Sequence, residues 1–159
     1  MKSINYLHEK KLCHLDIKPE NIIVNTFTFR FKLVDFGFCS QEPFDDYVIN
    51  ISGTPGYFPK RFSSKQVKDY SPQIKANDFV LHNGFLPLDK NRKLVYKIDS
   101  FCLGRVIYII KFMYDKYKKN GCWNREKKNG KKLYKIMSSL LKNNVYTRYT
   151  IQQCLDIYF

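Results

Sequence analysis

His14-Leu15-Asp16-Ile17-Lys18-Pro19-Glu20-Asn21 brings a carboxylate, an ammonium group and a carboxamide within six consecutive positions, 16 to 21. The runs that follow are short and strand-like. Ile22-Ile23-Val24 and Phe31-Lys32-Leu33-Val34 are β-branched or apolar, and Asn25-Thr26 between them reads as a turn. The second run leads into Asp35-Phe36-Gly37, fourteen residues after Asn21. Three further strings stand in order along the chain: Gly53-Thr54-Pro55-Gly56-Tyr57, then Asp99-Ser100-Phe101-Cys102-Leu103-Gly104, then Arg148-Tyr149-Thr150-Ile151. Between the first and second of these three strings, residues 63–97 are polar, with Ser63-Ser64, Ser71-Pro72, Asn83-Gly84 and Pro87 as breakers. They read as a long loop or insertion.

Residues 98–159 read as helical. From Ile98 to Tyr114 apolar residues fall on every face, interrupted by Asp99, Arg105 and Lys111, which predicts a core helix. Lys116 to Lys132 is basic and contains Gly121 and Gly130, which predicts an exposed loop. Leu133, Ile136, Met137, Leu140 and Leu141 share one face of a second helix. Thr150 with Gln153 three residues on predicts a capped last helix.

The ordered set of strings resembles the protein kinase family. His14 to Asn21 is similar to the catalytic loop H-R-D-x-K-x-x-N in its serine/threonine form, and Asp35-Phe36-Gly37 to the kinase D-F-G. Gly53 to Tyr57 resembles the substrate-docking end of the activation segment, Asp99 to Gly104 the D-x-W-S-x-G helix start, and Arg148 to Thr150 the late R-x-T motif. The resemblance implies an α+β, mainly α-helical fold: the large C-terminal lobe of a kinase, with a short β-hairpin carrying the catalytic and D-F-G segments. It implies transfer of the ATP γ-phosphate to protein Ser/Thr hydroxyls with magnesium, and protein substrates as partners.

The residue types suit that chemistry, which rests on positioning and charge neutralisation. Asp16 would accept the hydroxyl proton and Lys18 would meet the transferring phosphate. Asn21 and Asp35 offer hard oxygen ligands to magnesium. By resemblance, Ile23 would form the floor under the adenine. Thr54 and Gly56 would belong to the substrate-docking turn, with Thr54 bonded near Asp16 and Lys18. Gly37 permits backbone angles that a β-carbon resists. His14, Asp99 and Arg148 would be structural: Asp99, a carboxylate in an apolar run, needs partners and would hold the catalytic loop's backbone.

The departures from the family are as informative. Only thirteen residues precede His14 and no glycine precedes Gly37, so the small lobe, with its Gly-rich loop and its Lys–Glu pair, is expected to be missing from residues 1–159. Asn5 to Lys10 resembles the last turns of the helix that enters the catalytic loop. A partner or an upstream segment would then supply the small lobe. Leu15 stands where the catalytic-loop Arg pairs with a phosphorylated loop, so switching through that pocket is not expected. Pro59-Lys60-Arg61 replaces A-P-E, and Arg61 would repel Arg148 where the family has a Glu. Two rival readings follow: a truncated kinase-like module that docks proteins, or a fragment of a split kinase.

Composition bounds the rest. The chain has 159 residues, 44% of them hydrophobic and 16% aromatic, enough for one packed domain. No run of about 18 apolar residues exists, so no membrane span is expected. Met1 to Asn5 lacks the apolar core of a signal peptide. Five scattered cysteines with no C-x-x-C predict a reduced, intracellular and cytoplasmic protein. The net charge of +14 invites an electrostatic binder of nucleic acid through residues 116–132. Against this, the basic residues are 22 Lys and 6 Arg, beside 12 Asn and 14 Ile, which fits A/T-rich coding. Arg, the better reader of phosphate and bases, is scarce, and nucleic acid is not expected as a partner.

Overall fold

The catalytic-loop string lies between two small antiparallel ladders and is packed from below by helices. This arrangement comes from a computed structural model, in which residues 1–42, 54, 56–57, 93–118, 127–142 and 144–159 are described. Helix α1 spans Lys2–Glu9, with Ile4 and Asn5 buried. Lys11 ends it in the left-handed region at φ 61°, its N–H bonded to the His8 carbonyl. Strand β1, Leu12–Cys13, pairs with β4, Ser40–Gln41. A 3-10 turn over Pro19–Asn21 begins with a proline, whose missing N–H has no role at a helix start.

Strands β2, Ile22–Asn25, and β3, Arg30–Leu33, form an antiparallel hairpin in the register Ile22↔Leu33 to Asn25↔Arg30. The turn expected at Asn25-Thr26 has a specific cause. Asn25 Oδ1 accepts the N–H groups of Phe27 and Thr28 at 3.0 and 2.9 Å, an Asx turn. Val34 N–H donates to the Asn21 carbonyl at 3.0 Å and carries the ladder on toward Asp35.

Three helices complete the described fold: α2, Lys93–Lys118, α3, Lys127–Leu140, and α4, Ile151–Tyr158. Four helices with small antiparallel strands make an α+β architecture. The core joins Ile4, Cys13, Leu15 and Ile17 to Val95, Ile98, Cys102 and Val106 of α2, and to Ile136, Leu140 and Ile151. Gly104 marks the closest approach of α2 to the end of α3. A β-carbon there would lie 2.9 Å from Leu141 side-chain atoms and 3.0 Å from Leu140 Cβ. The capping box of α4 forms as expected: Gln153 N–H donates to Thr150 Oγ1, and Thr150 N–H donates to Gln153 Oε1.

The helix boundaries differ from expectation at three points. Residues 93–97 are the first turns of α2, so the stretch read as loop ends sooner; its remainder, 63–92, lies outside the described residues. The basic stretch 116–132 is not all loop. Helix α2 runs to Lys118 and α3 starts at Lys127, because Lys is a good helix former and solvated charge does not oppose a helix. The apolar run of α2 is core only in its first half. Beyond Val106, Tyr108, Ile110, Phe112 and Met113 are exposed. No described helix is long and apolar enough to cross a membrane.

Candidate active site

Asp99 is the frame of the site. Its carboxylate is fully buried on α2, where an ionised group survives only with partners. Oδ2 accepts the His14 N–H at 2.8 Å and the His8 Nε2–H at 2.9 Å, and Oδ1 accepts the Leu15 N–H at 2.8 Å. These bonds fix the peptides around Leu15, which sits at φ 64°. A left-handed leucine costs of order 1–3 kcal/mol and persists only where its surroundings over-determine it. Leu15 itself is buried in the core, away from solvent. His14 is fully buried too. Its Nε2–H donates to the Val34 carbonyl at 3.2 Å, its Nδ1 accepts the Asp16 N–H at 3.3 Å, and the Phe36 ring lies 5.1 Å away. Sequence reading missed His8. The signal was there: a carboxylate inside an apolar run, and a histidine one helical end upstream of the loop.

Asp16 stands on this frame, 2% exposed. Lys18 Nζ donates to its Oδ2 at 2.8 Å and to Thr54 Oγ1 at 2.7 Å. Thr54 returns both its N–H, at 3.0 Å, and its Oγ1–H, at 2.9 Å, to Asp16 Oδ1. The three side chains close a ring. Burial pushes the Asp16 carboxyl up, but the bonds from Lys18 and Thr54 outweigh it and hold the group below its ordinary range. The bond to Asp16 raises Lys18 in turn. The site is therefore a carboxylate and an ammonium, both ionised at neutral pH.

Asn21, 5% exposed, donates through Nδ2 to the Asp16 carbonyl at 2.9 Å and to Asp16 Oδ2 at 3.1 Å. That orientation leaves its carbonyl oxygen for another ligand. Asp35 is exposed at the end of the hairpin, at φ 61°, with Oδ1 accepting the Gly37 N–H at 3.2 Å. Its charge adds to the effect of Asp16 in raising Lys18. A carboxylate and an amide oxygen are the hard donors a magnesium ion takes, and the residues present fit it. His8, Cys13 and Asp99 also converge within 4.8 Å, but Asp99 already spends its oxygens on three donors and Cys13 is buried.

Ile23 is 55% exposed on β2, and Gly56 is exposed in the Thr54–Tyr57 turn. Arg148 lies apart, 1% exposed, donating to the carbonyls of Lys142 and Lys97 at 2.8 and 3.0 Å with its guanidinium 4.8 Å from the Phe101 ring. Burial lowers it to about 10, which leaves it charged at neutral pH. Arg61, expected to repel it, lies outside the described residues. Burial raises Cys102 and Cys13 well above the usual thiol range, as befits packing residues.

The sequence has relatives. The sequence profile of the protein kinase domain matches residues 1–159. The serine/threonine-protein kinase dkf-1 of Caenorhabditis elegans is 23% identical over 97% of this chain, which covers 20% of that protein. The serine/threonine-protein kinase CST20 of Candida albicans is 35% identical over 46% of the chain and 6% of its own length. Death-associated protein kinase 2 of Homo sapiens is 36% identical over 45% of the chain and 19% of its own length. The chain thus spans a fifth or less of these curated relatives, all named protein kinases and two of them serine/threonine-protein kinases. With a profile match over its whole length and an ordered set of kinase motifs along it, the chain belongs to the protein kinase family.

Proposed function

We propose that residues 1–159 are the large lobe of a serine/threonine protein kinase, with an insertion from residue 63 to the start of α2 at Lys93, and that they transfer the γ-phosphate of ATP to protein Ser/Thr hydroxyls. The observation that carries this reading is the Asp16–Lys18–Thr54 ring. Asp16 is ionised and oriented, so it accepts the proton of a substrate hydroxyl as that oxygen attacks phosphorus. Lys18 has used two of its three hydrogens in the ring and turns the third to a phosphate oxygen. Thr54 spaces the two and lines the turn on which a Ser/Thr residue would rest. Asn21 and Asp35 would hold magnesium, which when bound neutralises charge on the phosphates.

The test is transfer of labelled γ-phosphate to Ser/Thr peptides in the presence of magnesium. Transfer above that of Asp16→Asn is expected. Its absence, in this chain and in a form extended upstream, would overturn the reading. A second reading is favoured by the exposure of Ile23 and Phe36, 55% and 48%. In it, another polypeptide, upstream or separate, covers this apolar floor and completes the nucleotide site. Co-expression of a kinase small lobe, followed by the same assay, tests it.

A further inference from the structure

We infer that Arg105, on α2, is a positioning residue for the substrate-docking turn, an assignment that rests on the kinase reading above. Arg105 is half-buried one residue past Gly104, where α2 passes behind the turn. Its Nε–H donates to the Gly56 carbonyl at 2.9 Å, and its guanidinium lies 5.3 Å from the Tyr108 ring one helical turn on. The turn is closed by Tyr57 N–H donating to the Thr54 carbonyl at 3.2 Å. Its other end is fixed by the bonds of Thr54 to Asp16 and Lys18.

The four-residue turn is thus bracketed. The catalytic carboxylate holds Thr54, and α2 holds Gly56 through Arg105. Gly56 is exposed, sits at φ +92° and has nothing among the described residues within 4 Å of where a β-carbon would be, which suits approach of a peptide to its backbone. Its carbonyl has found a charged donor on the inner side. Without that donor, the turn would keep its grip on Asp16 but lose its angle to the surface, and a substrate hydroxyl would be presented off line. The Tyr108 ring covers one face of the guanidinium and favours this rotamer, and a planar fork on a stacked stem is not reproduced by Lys.

The experiment compares wild type, Arg105→Met and Arg105→Lys in two measurements. The first is hydrogen exchange. The Tyr57 amide should exchange about tenfold faster in Arg105→Met, as expected for loss of one charge-assisted bond, while the Thr54 amide, held by Asp16, and the α2 amides from Ile98 to Val106 stay protected. The second is steady-state peptide phosphorylation, in the extended form if that is the active one. KM for the peptide should rise about tenfold, with KM for ATP unchanged and Arg105→Lys intermediate. Unchanged exchange at Tyr57 overturns the bracket. Faster exchange with unchanged peptide KM overturns its role in docking. Absence of phosphotransfer from wild type overturns the kinase reading and the docking role with it, while the exchange data still decide whether Arg105 holds the turn. General loss of α2 protection in both variants overturns positioning in favour of a structural role.

Discussion

Asp16 and Asp35 are the two carboxylates of the site, and the chain treats them differently. Asp16 is buried, ringed by Lys18 and Thr54 and bonded by Asn21, on a loop that Asp99 holds from behind. Asp35 is exposed just past the open end of the two-stranded ladder, next in sequence to the exposed Phe36, with Ile23 also exposed on β2. One region is preorganised before any substrate arrives. The other offers its ligand atoms to solvent. In the kinase reading, the hydroxyl-handling half of the site is built by this chain alone, and the nucleotide half is where cover from elsewhere would matter. Electrostatic catalysis is strongest where donors and charges are fixed in a dry setting, so the difference bears on which half limits the rate.

The largest expected effect attacks the preorganised half. Asp99→Ala removes a buried acceptor from three donors and leaves Leu15 in a left-handed conformation with nothing to hold it. Stability should fall by about 3–5 kcal/mol, as when one partner of a buried charged pair is removed. Urea denaturation measures it. A loss below about 1 kcal/mol, within the range of an ordinary substitution, would mean the loop is held by other contacts.

The next effect separates the halves. Asp35→Asn should lower phosphotransfer about 10²- to 10³-fold in an active form, by removing charge where it is needed in the transition state. Because Asp35 is exposed, the urea midpoint should not move. Asp16→Asn should change both. If Asp35→Asn kept near-normal turnover at saturating magnesium, its role as a metal ligand would be wrong.

The third effect is a pH dependence. The folded state holds Asp16 below its ordinary 3.8, so its contribution to stability is complete above that value and disappears as pH falls through the lower folded one. Lys18 is raised above 10.5, so its contribution is complete below that value and is lost as pH rises through the higher one. The stability difference between wild type and Asp16→Asn should stay flat between these limits and shrink below pH 3.8. A difference already shrinking at pH 6 would show that the ring is not the source.

How much of this was legible in the sequence depends on how local the cause is. The Asn25 turn and the Thr150–Gln153 box are set by side chains two or three residues from their targets, and both could be read directly. The site strings could be read because their order is that of a family. His8 on Asp99 and Arg105 on Gly56 span 91 and 49 residues, and no periodicity encodes such a meeting. What the sequence did carry was the anomaly, a charged residue inside an apolar run, at both Asp99 and Arg105. The exposed second half of α2 was hidden for the opposite reason. An apolar run signals burial without saying against what, and here the core takes Val106 and part of Ile107 and leaves Tyr108 and Ile110 exposed.

The smallest effect tests whether the open half is as open as its surface implies. Phe27 is 94% exposed and Phe29 76% exposed at the hairpin tip, while Val24 and Phe31 face each other across the ladder at 42% and 63%. A phenylalanine that buries nothing contributes nothing through burial, so Phe27→Asn should change stability by less than about 0.5 kcal/mol. The Asx turn beneath it uses the Phe27 backbone, which the substitution keeps. Val24→Thr should cost somewhat more, because a cross-strand pair is worth about 0.2–1 kcal/mol. Urea midpoints measured at two protein concentrations a hundredfold apart give the answer. Equal midpoints with a negligible Phe27 effect mean the tip faces water, and the asymmetry between the halves stands. A concentration-dependent midpoint that Phe27→Asn abolishes means the tip is covered by a second copy in solution. The end of the ladder farthest from Asp35 would then be covered by association, and the exposure of the hairpin would hold only for the isolated chain.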